Sequence, residues 1–386
     1  MISPVRKRLL AKAKRSVIKV GSAVITSSDG LNMEVIGAIA SDICGLLEER
    51  REVILVSSGA IASGLRRMGL TKKPESTSQK QALAAIGQSL LMKAYEEAFG
   101  LYGRKVAQVL LTRDDLSNRK RYLNARNTLL TLLAWKIVPV INENDTVSID
   151  EIKFGDNDNL SAMVTNLTDA DLLLSLTSTD GLYDKDPNLH KDACLIAIVK
   201  GADKDVLQFA GTAGRMGTGG MAAKVMAARK VALAGVPTVI ANGTASGMIK
   251  RVFEGMETGT LFVPNETALC GRKHWIAFTK SPRGDVMIDR GAAIAVVEKG
   301  KSLLPSGIIE VKGRFSQGDS VNVLGPDGKA IAMGMVNYHS GEIRKIAGAR
   351  SSEIESRLGF RHDDEVIHRD NLVLMTELEE EEGQCR

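Results

Sequence analysis

Two short runs of amides and carboxylates, Asn142-Glu143-Asn144-Asp145 and Asp156-Asn157-Asp158-Asn159, lie within one segment of the 386-residue chain. The first follows an apolar run, Ile137-Val138-Pro139-Val140-Ile141, that reads as a buried strand. The second opens a segment with Leu160, Met163, Val164 and Leu167 at helical spacing. Polar side chains at the carboxyl end of a strand stand where open α/β sheets collect ligands. Short polar side chains before a helix cap its free N–H groups, and that end of a helix favours anions. Asp can hold an ammonium group or Mg2+, Asn either sign, and a helix start a carboxylate or phosphate. Either run alone is ordinary turn and capping sequence, since Asn and Asp dominate turns. Two in one segment fit a small zwitterion, a metal–phosphate, or both.

Three further features point the same way. The glycine-rich run from Gly211 to Met221 precedes a helical pattern that holds Lys224. Backbone N–H groups in such a loop can wrap phosphates, and a lysine one turn into the helix can reach transferring oxygens. The run is not a P-loop, because no Lys-Ser/Thr follows the glycines, and it is not GxGxxG, because Ala222 occupies the last position. Lys19 interrupts an apolar strand pattern just before Gly21. By itself such a lysine would be snorkelling from a sheet edge. Ser57-Ser58-Gly59-Ala60 ends another strand with small residues, so a ligand can approach the backbone there. Together these supply two lysines, glycine amides and carboxylates, which is the equipment of phosphoryl transfer. No His-Arg-Asp loop or evident general base accompanies them. A carboxylate nucleophile suits that absence, because it is already ionised at pH 7; catalysis would rest on alignment and charge neutralisation.

The elements that must position these residues alternate in type. Strand patterns at Val17–Val20, Val53–Val56, Val106–Leu111, Ile137–Ile141, Asp171–Leu176 and Pro237–Ile240 are interleaved with helical patterns. The helical patterns are Met33–Arg50, Gln79–Phe99, Tyr122–Trp135 and Met221–Ala234. This alternation predicts an α/β fold, a largely parallel sheet with helices on both faces. From about His274 the pattern changes to short strand-like runs between glycine turns: Val286–Ile288, Ala293–Val297, Ile308–Val311, Val321–Val323 and Ala330–Val336. That predicts a small, mostly β domain. The expected division is 1–268, then 272–370, then an acidic, disordered tail over 371–386.

Composition excludes several classes. With 44% hydrophobic and 25% charged residues the chain is an ordinary globular one, and no apolar run approaches the ~20 residues that span a bilayer. The basic N-terminus, MISPVRKRLLAKAKRS, has no apolar core and reads as a solvated arm rather than a secretory signal. The four cysteines form no CxxC pair, and the five histidines have no zinc-like spacing with them, so no metal ligands are assigned. A reducing, cytoplasmic location is expected. Charge is uneven: residues 272–350 carry 13 Lys/Arg and 7 Asp/Glu, whereas 351–386 carry 4 and 11.

At this point the sequence resembles the amino acid kinases. The matches run through VIKVGSAVIT (17–26), VSSGAIASG (56–64), LNARNTL (123–129), PVINENDTV (139–147), IKFGDNDNLSA (152–162), DGLYDKDP (180–187) and GTGGMAAK (217–224). The β domain resembles a PUA domain through GKSLLPSGIIEVKGRFSQGDSVNV (300–323) and the later Asn337-Tyr338. The resemblance covers about residues 16–370 in family order. It implies a three-layer α/β/α sandwich and ATP-dependent phosphorylation of the γ-carboxylate of L-glutamate, with Mg2+. The product would be L-glutamyl 5-phosphate, in the first step of proline synthesis. It also implies that Lys19 and Lys224 stabilise the transferring phosphoryl group and that Asp158 organises them. Ser58, Asp145 and Asn157 match glutamate-binding positions. The nucleotide site would comprise Lys19, Thr177, Ser178, Thr218, Gly219, Gly220, Met221, Ala222, Ala223 and Lys224. Where the family often has Thr-Asp after the strand, this chain has Thr177-Ser178, with Asp180 two residues on. Family members commonly form tetramers or dimers and are often feedback-inhibited by proline.

The nearest rivals are kinases of the same fold acting on acetylglutamate, aspartate, carbamate or UMP; the NENDTV and GDNDNLSA motifs with the β domain favour glutamate. From a different class, the basic PUA-like domain could bind RNA. The aromatic residues of its basic part, 272–350, are Trp275, Phe278, Phe315 and Tyr338, few for base stacking, and Phe315 and Tyr338 also fit a core. RNA binding is therefore the less favoured expectation.

Overall fold

The structure is a computed structural model in which residues 4–27, 30–71, 74, 76–147, 156–187, 189–200, 206–209, 220–264 and 282–375 are described. The chain divides into two compact units, Met1–Thr267 and Ala268–Arg386.

The strands of the first unit's main sheet are rich in Val, Ile and Leu, and all but those at its two edges are buried nearly throughout, as strands covered on both faces must be. They are β1 (Arg15–Val20), β2 (Glu52–Ser57), β3 (Val106–Leu111), β4 (Val138–Glu143), β5 (Leu172–Thr177), β6 (Ile198–Lys200), β7 (Thr238–Asn242) and β8 (Thr260–Val263). One sheet holds all eight in the order β3-β4-β2-β1-β5-β7-β8-β6. Every pairing is parallel except that of β7 with β8. The short strands β6 and β8 were not anticipated, since three or four residues carry too little periodicity to read.

Helices α1 (Pro4–Ala11), α2 (Met33–Glu48), α4 (Thr77–Gly100) and α8 (Met248–Phe253) cover one face of the sheet. There Ile18, Val20, Leu55, Val140 and Leu174 pack with Ile36, Ile43, Leu91 and Phe99. Side chains alternate along a strand, so Lys19, between Ile18 and Val20, is directed to the opposite face. That face meets α6 (Asp156–Leu167) and α7 (Met221–Leu233). The N-terminus is a correction to the expected solvated arm. In α1, Leu10 is fully buried and the Arg6 side chain is 1% exposed, donating to the carbonyl oxygens of Ala197 and Gly259, each at 2.8 Å. Arg6 thereby satisfies backbone acceptors beside β6 and β8.

The small-residue run after β2 is also more than a turn. Gly59, at φ 103°, caps a helix, α3 (Ala60–Arg67). Helix α3 lies tightly against α4 because glycines sit at the contact. A Cβ on Gly87 would stand 1.8 Å from the Ala60 carbonyl oxygen, and one on Gly64 would stand 2.0 Å from that of Leu83.

In the second unit, β9 (Gly284–Ile288), β10 (Ile308–Gly313), β11 (Ser320–Leu324), β12 (Ala330–Met335) and β13 (Leu372–Leu374) form a sheet ordered β10-β9-β11-β12-β13. The expected strand Ala293–Val297 is instead part of helix α9 (Arg290–Val297). Asp289 caps it by accepting from the Ala292 N–H at 2.7 Å, and its alanines favour helix once that cap forms. Phe315 and Tyr338 are core residues, 5% and 0% exposed, so neither offers a face to a nucleobase. Trp275 and Phe278 lie outside the described residues. Strand β13 falls within the expected tail and pairs with Ala332–Gly334, so residues 372–374 belong to the sheet rather than to a disordered segment. Residues 376–386 are outside the described set. Among the described residues no helix is long and apolar enough to cross a membrane.

The two-glycine contact makes a stability prediction. Gly87→Ala should destabilise the protein by about 2–3 kcal/mol, because a backbone carbonyl cannot move aside as a side chain can. Gly45→Ala, on the exposed side of α2 with nothing within 4 Å of the added carbon, should stabilise by about 0.5–1 kcal/mol. Urea unfolding of the two variants measures the contrast; similar small effects would mean that α3 and α4 are not in tight contact.

Candidate active site

The carboxyl ends of β1, β2, β4 and β5 bring the sequence-separated motifs together. Asp158, in the first turn of α6, is 2% exposed at its side chain and lies between two lysines. Its Oδ1 is 2.6 Å from Lys19 Nζ and its Oδ2 is 3.2 Å from Lys224 Nζ. The lysine side chains are 4% and 7% exposed. Lys19 arrives from the centre of the sheet, where its register partners are Val56 and Ser175. Lys224 arrives from the first turn of α7, and α6 and α7 are tied again by Lys230 Nζ donating to Asn159 Oδ1 at 2.6 Å. Burial holds the Lys19 pKa below its ordinary value; the Asp158 charge opposes that shift and Lys224 adds to it.

Two ammonium groups and one carboxylate stand together where water is largely excluded. Charges act more strongly there than in water, and the starts of α6 and α7 add the positive ends of two helix dipoles. The arrangement attracts an anion and can stabilise charge that develops on transferring oxygens.

A second network adjoins the first through Asn157. Its Nδ2 donates to Ser58 Oγ at 3.0 Å and to Asn142 Oδ1 at 2.9 Å. Asn142 Nδ2 in turn donates to Gln88 Oε1, on α4, at 2.8 Å. Ser57, at the end of β2, shares a hydrogen bond of 2.9 Å with the fully buried Tyr95 hydroxyl, whose pKa burial pushes well above normal. Beside this network is a cavity of about 230 Å³ lined by Gln88, Gln108, Glu143, Asn144, Asp145 and Thr146.

The structure therefore brings Lys19, Asp158 and Lys224 into one cluster, links Asn157 with Ser58, and sets Asp145 in the cavity next to Gln88. Thr177 ends β5 and Ser178 follows it, exposed; Gly220 caps α7, with Met221, Ala222 and Ala223 in its first turn. Thr218 and Gly219 lie outside the described residues. Asp180, two residues past Ser178, accepts from Asn242 Nδ2 at 2.9 Å and so joins the ends of β5 and β7. Gln88 and Tyr95 were missed from the sequence, although a glutamine in the buried row with Ala84, Leu91 and Tyr95 is a legible sign.

The triad makes a pH prediction. Asp158→Asn removes the carboxylate paired with the buried Lys19 ammonium group and should cost about 3 kcal/mol at pH 7. The Lys19 pKa would then lie further below that of the unfolded chain. Between the two values the unfolded state binds more protons, so stability rises with pH. The deficit should narrow from pH 7 to pH 10 in denaturant unfolding; a deficit constant over that range would mean that Asp158 does not neutralise the lysines.

The chain matches known proteins along most of its length. The model of the amino acid kinase family matches residues 14–242, and that of the PUA domain matches 284–358. The glutamate 5-kinase of Geobacter metallireducens is 54% identical over 372 residues, covering 96% of this chain and 100% of its own. That of Geobacter sulfurreducens is 52% identical over 372 residues with the same coverage, and that of Syntrophotalea carbinolica 52% over 370 residues, covering 96% of this chain and 99% of its own. With a family model spanning more than half of its length and relatives matched almost end to end, the chain belongs to the amino acid kinase family and, within it, to the glutamate 5-kinases.

Proposed function

We propose that the protein transfers the γ-phosphoryl group of ATP to the γ-carboxylate of L-glutamate, giving L-glutamyl 5-phosphate and ADP, as the first step of L-proline biosynthesis. The observation that carries this reading is the buried Lys19–Asp158–Lys224 cluster at the carboxyl ends of the strands, beside an amide network suited to a small amino acid. A γ-carboxylate oxygen attacks the γ-phosphorus as the bond to the β–γ bridging oxygen breaks, and ADP leaves with that electron pair. The carboxylate is already ionised, so no base is required. Lys19 and Lys224 neutralise charge on the transferring phosphoryl group and the leaving oxygen, and Asp158 keeps both ammonium groups in place.

Ser58, Asp145 and Asn157 hold glutamate. Thr177, Ser178 and the start of α7, from Gly220 to Ala223, hold the nucleotide, with exposed Ser178 making the weakest claim among them. Among the described residues no group of three or more His, Cys, Asp or Glu side chains is arranged to hold a metal. Mg2+ would enter with ATP, held chiefly by phosphate oxygens and water.

The test is ATP-dependent acyl phosphate formation, trapped as the hydroxamate, from glutamate, aspartate and acetylglutamate in parallel; turnover of aspartate or acetylglutamate above glutamate would overturn the assignment. Lys19→Ala and Lys224→Ala should each lower kcat by about 10²-fold or more while changing the KM for glutamate far less, since their charge counts most in the transition state. A near-normal kcat removes that lysine from the mechanism. Asp145→Ala and Asn157→Ala should instead raise the KM for glutamate and leave ATP affinity unchanged. Loss of ATP binding with glutamate binding intact would reverse the two halves of the site.

A further inference from the structure

The amide network beside the triad has a definite sense. Asn142 Oδ1 accepts from the Glu143 N–H and from Asn157 Nδ2, each at 2.9 Å, which uses both of its lone-pair directions. Its Nδ2 donates to Gln88 Oε1. The Asn157 amide spends its N–H groups on Ser58 Oγ and Asn142 Oδ1. What remains is Asn157 Oδ1, a buried acceptor with no hydrogen-bond partner among the described residues, and at the other end of the chain Gln88 Nε2, a buried donor likewise unpaired there. An orphaned buried acceptor is costly unless a ligand supplies the donor. Of the groups on glutamate at neutral pH, the two carboxylates only accept, and the ammonium only donates.

Gln88 anchors the far end of this chain. It is 8% exposed, it lines the cavity with Glu143 and Asp145, and it sits next to Gly87, whose contact with the Ala60 carbonyl fixes α4 against α3. Asn142 is itself 3% exposed. Without the Gln88 oxygen its Nδ2 would be buried unpaired, and Asn142 could relieve that only by turning away from Asn157.

We propose that Gln88 is a positioning and specificity residue for the amino acid: through Asn142 it holds Asn157 so that Asn157 Oδ1 receives the substrate's α-ammonium group. This rests on the glutamate kinase reading and adds a direction to it. The ammonium end lies toward Asn157 and the cavity carboxylates Glu143 and Asp145, and the γ-carboxylate lies toward Lys19 and Lys224. The site is thereby selective for an acceptor that carries a donor at its α-carbon, and it discriminates against glutarate, which has the same two carboxylates and no ammonium.

The experiment compares glutamate with glutarate as acceptors in the full-length protein. Wild type should prefer glutamate by at least about 10²-fold in kcat/KM. Gln88→Met keeps the volume and removes the acceptor for Asn142. It should raise the KM for glutamate about 10-fold, hold kcat and the KM for ATP within about 3-fold, and cut the preference over glutarate about 10-fold, the scale of one hydrogen bond to a charged group. Gln88→Glu, which keeps an acceptor oxygen, should restore the preference to within about 3-fold of wild type. If Gln88→Met does not fold, Asn142→Ala cuts the same chain one link nearer and should lose the same preference. The proposal is overturned if the preference is unchanged in the folded variant, if the KM for ATP moves as far as that for glutamate, or if Gln88→Glu is no better than Gln88→Met. Absence of glutamate-dependent turnover in wild type would instead defeat the underlying reading of function.

Discussion

One carboxylate shared between two buried ammonium groups is the constraint on which this site depends. Desolvating a charge costs several kcal/mol even after the surroundings relax, so Lys19 and Lys224 can be buried at the sheet only if something neutralises part of their charge. Asp158 does so with both oxygens at once, at 2.6 and 3.2 Å. Because the three groups come from β1, α6 and α7, the pairing also fixes where two helices begin relative to the central strand. The same three groups thus tie the fold together and are suited to an anionic ligand: buried ammonium groups are expensive to maintain and strongly attractive to an anion.

The surrounding architecture makes that arrangement rigid. Strand β1 lies inside the sheet, between β2 and β5, so Lys19 projects from a backbone hydrogen-bonded on both sides. On the opposite face of the sheet, the α3–α4 contact through Gly64 and Gly87 sets the depth at which Gln88 stands. Gln88 then reaches Asn142 at the end of β4, and Asn142 reaches Asn157 at the start of α6. Two helices that carry none of the three triad residues are in this way coupled to the start of α6 through side-chain amides. Arg6 plays the corresponding structural part at the other edge of the sheet, where it donates to carbonyl groups beside the short strands β6 and β8.

The second unit has its own core, centred on Val286, Ile288, Val321, Val323, Tyr338 and Ile367. Phe315 and Tyr338 are used for packing, whereas Phe360 is exposed. The Tyr338 hydroxyl accepts from the N–H groups of His362 and Asp363 at 3.1 and 2.9 Å, which ties the segment before β13 back to the sheet. A ring engaged in this way stabilises a small domain and is unavailable for stacking on a base.

Much of this protein was legible from local pattern. The alternation of β and α, the change to a small β domain, and the position of Lys19, Asp158 and Lys224 beside strand ends and helix starts all follow from periodicity, capping residues and glycine placement, which act over a few residues. Local pattern misled where a run satisfied two periods: Arg290–Val297 is helical because Asp289 caps it, although its β-branched residues suit a strand equally well. What only the tertiary structure decided is everything that depends on distant partners. The sheet order, the sharing of Asp158 between lysines from opposite ends of the first unit, the burial of Arg6 in what reads as a soluble arm, and the sense in which Gln88, Asn142 and Asn157 are hydrogen-bonded have no signature in their own neighbourhoods. Each is settled by the requirement that a buried charge or amide find a partner, and the chain brings that partner only by folding.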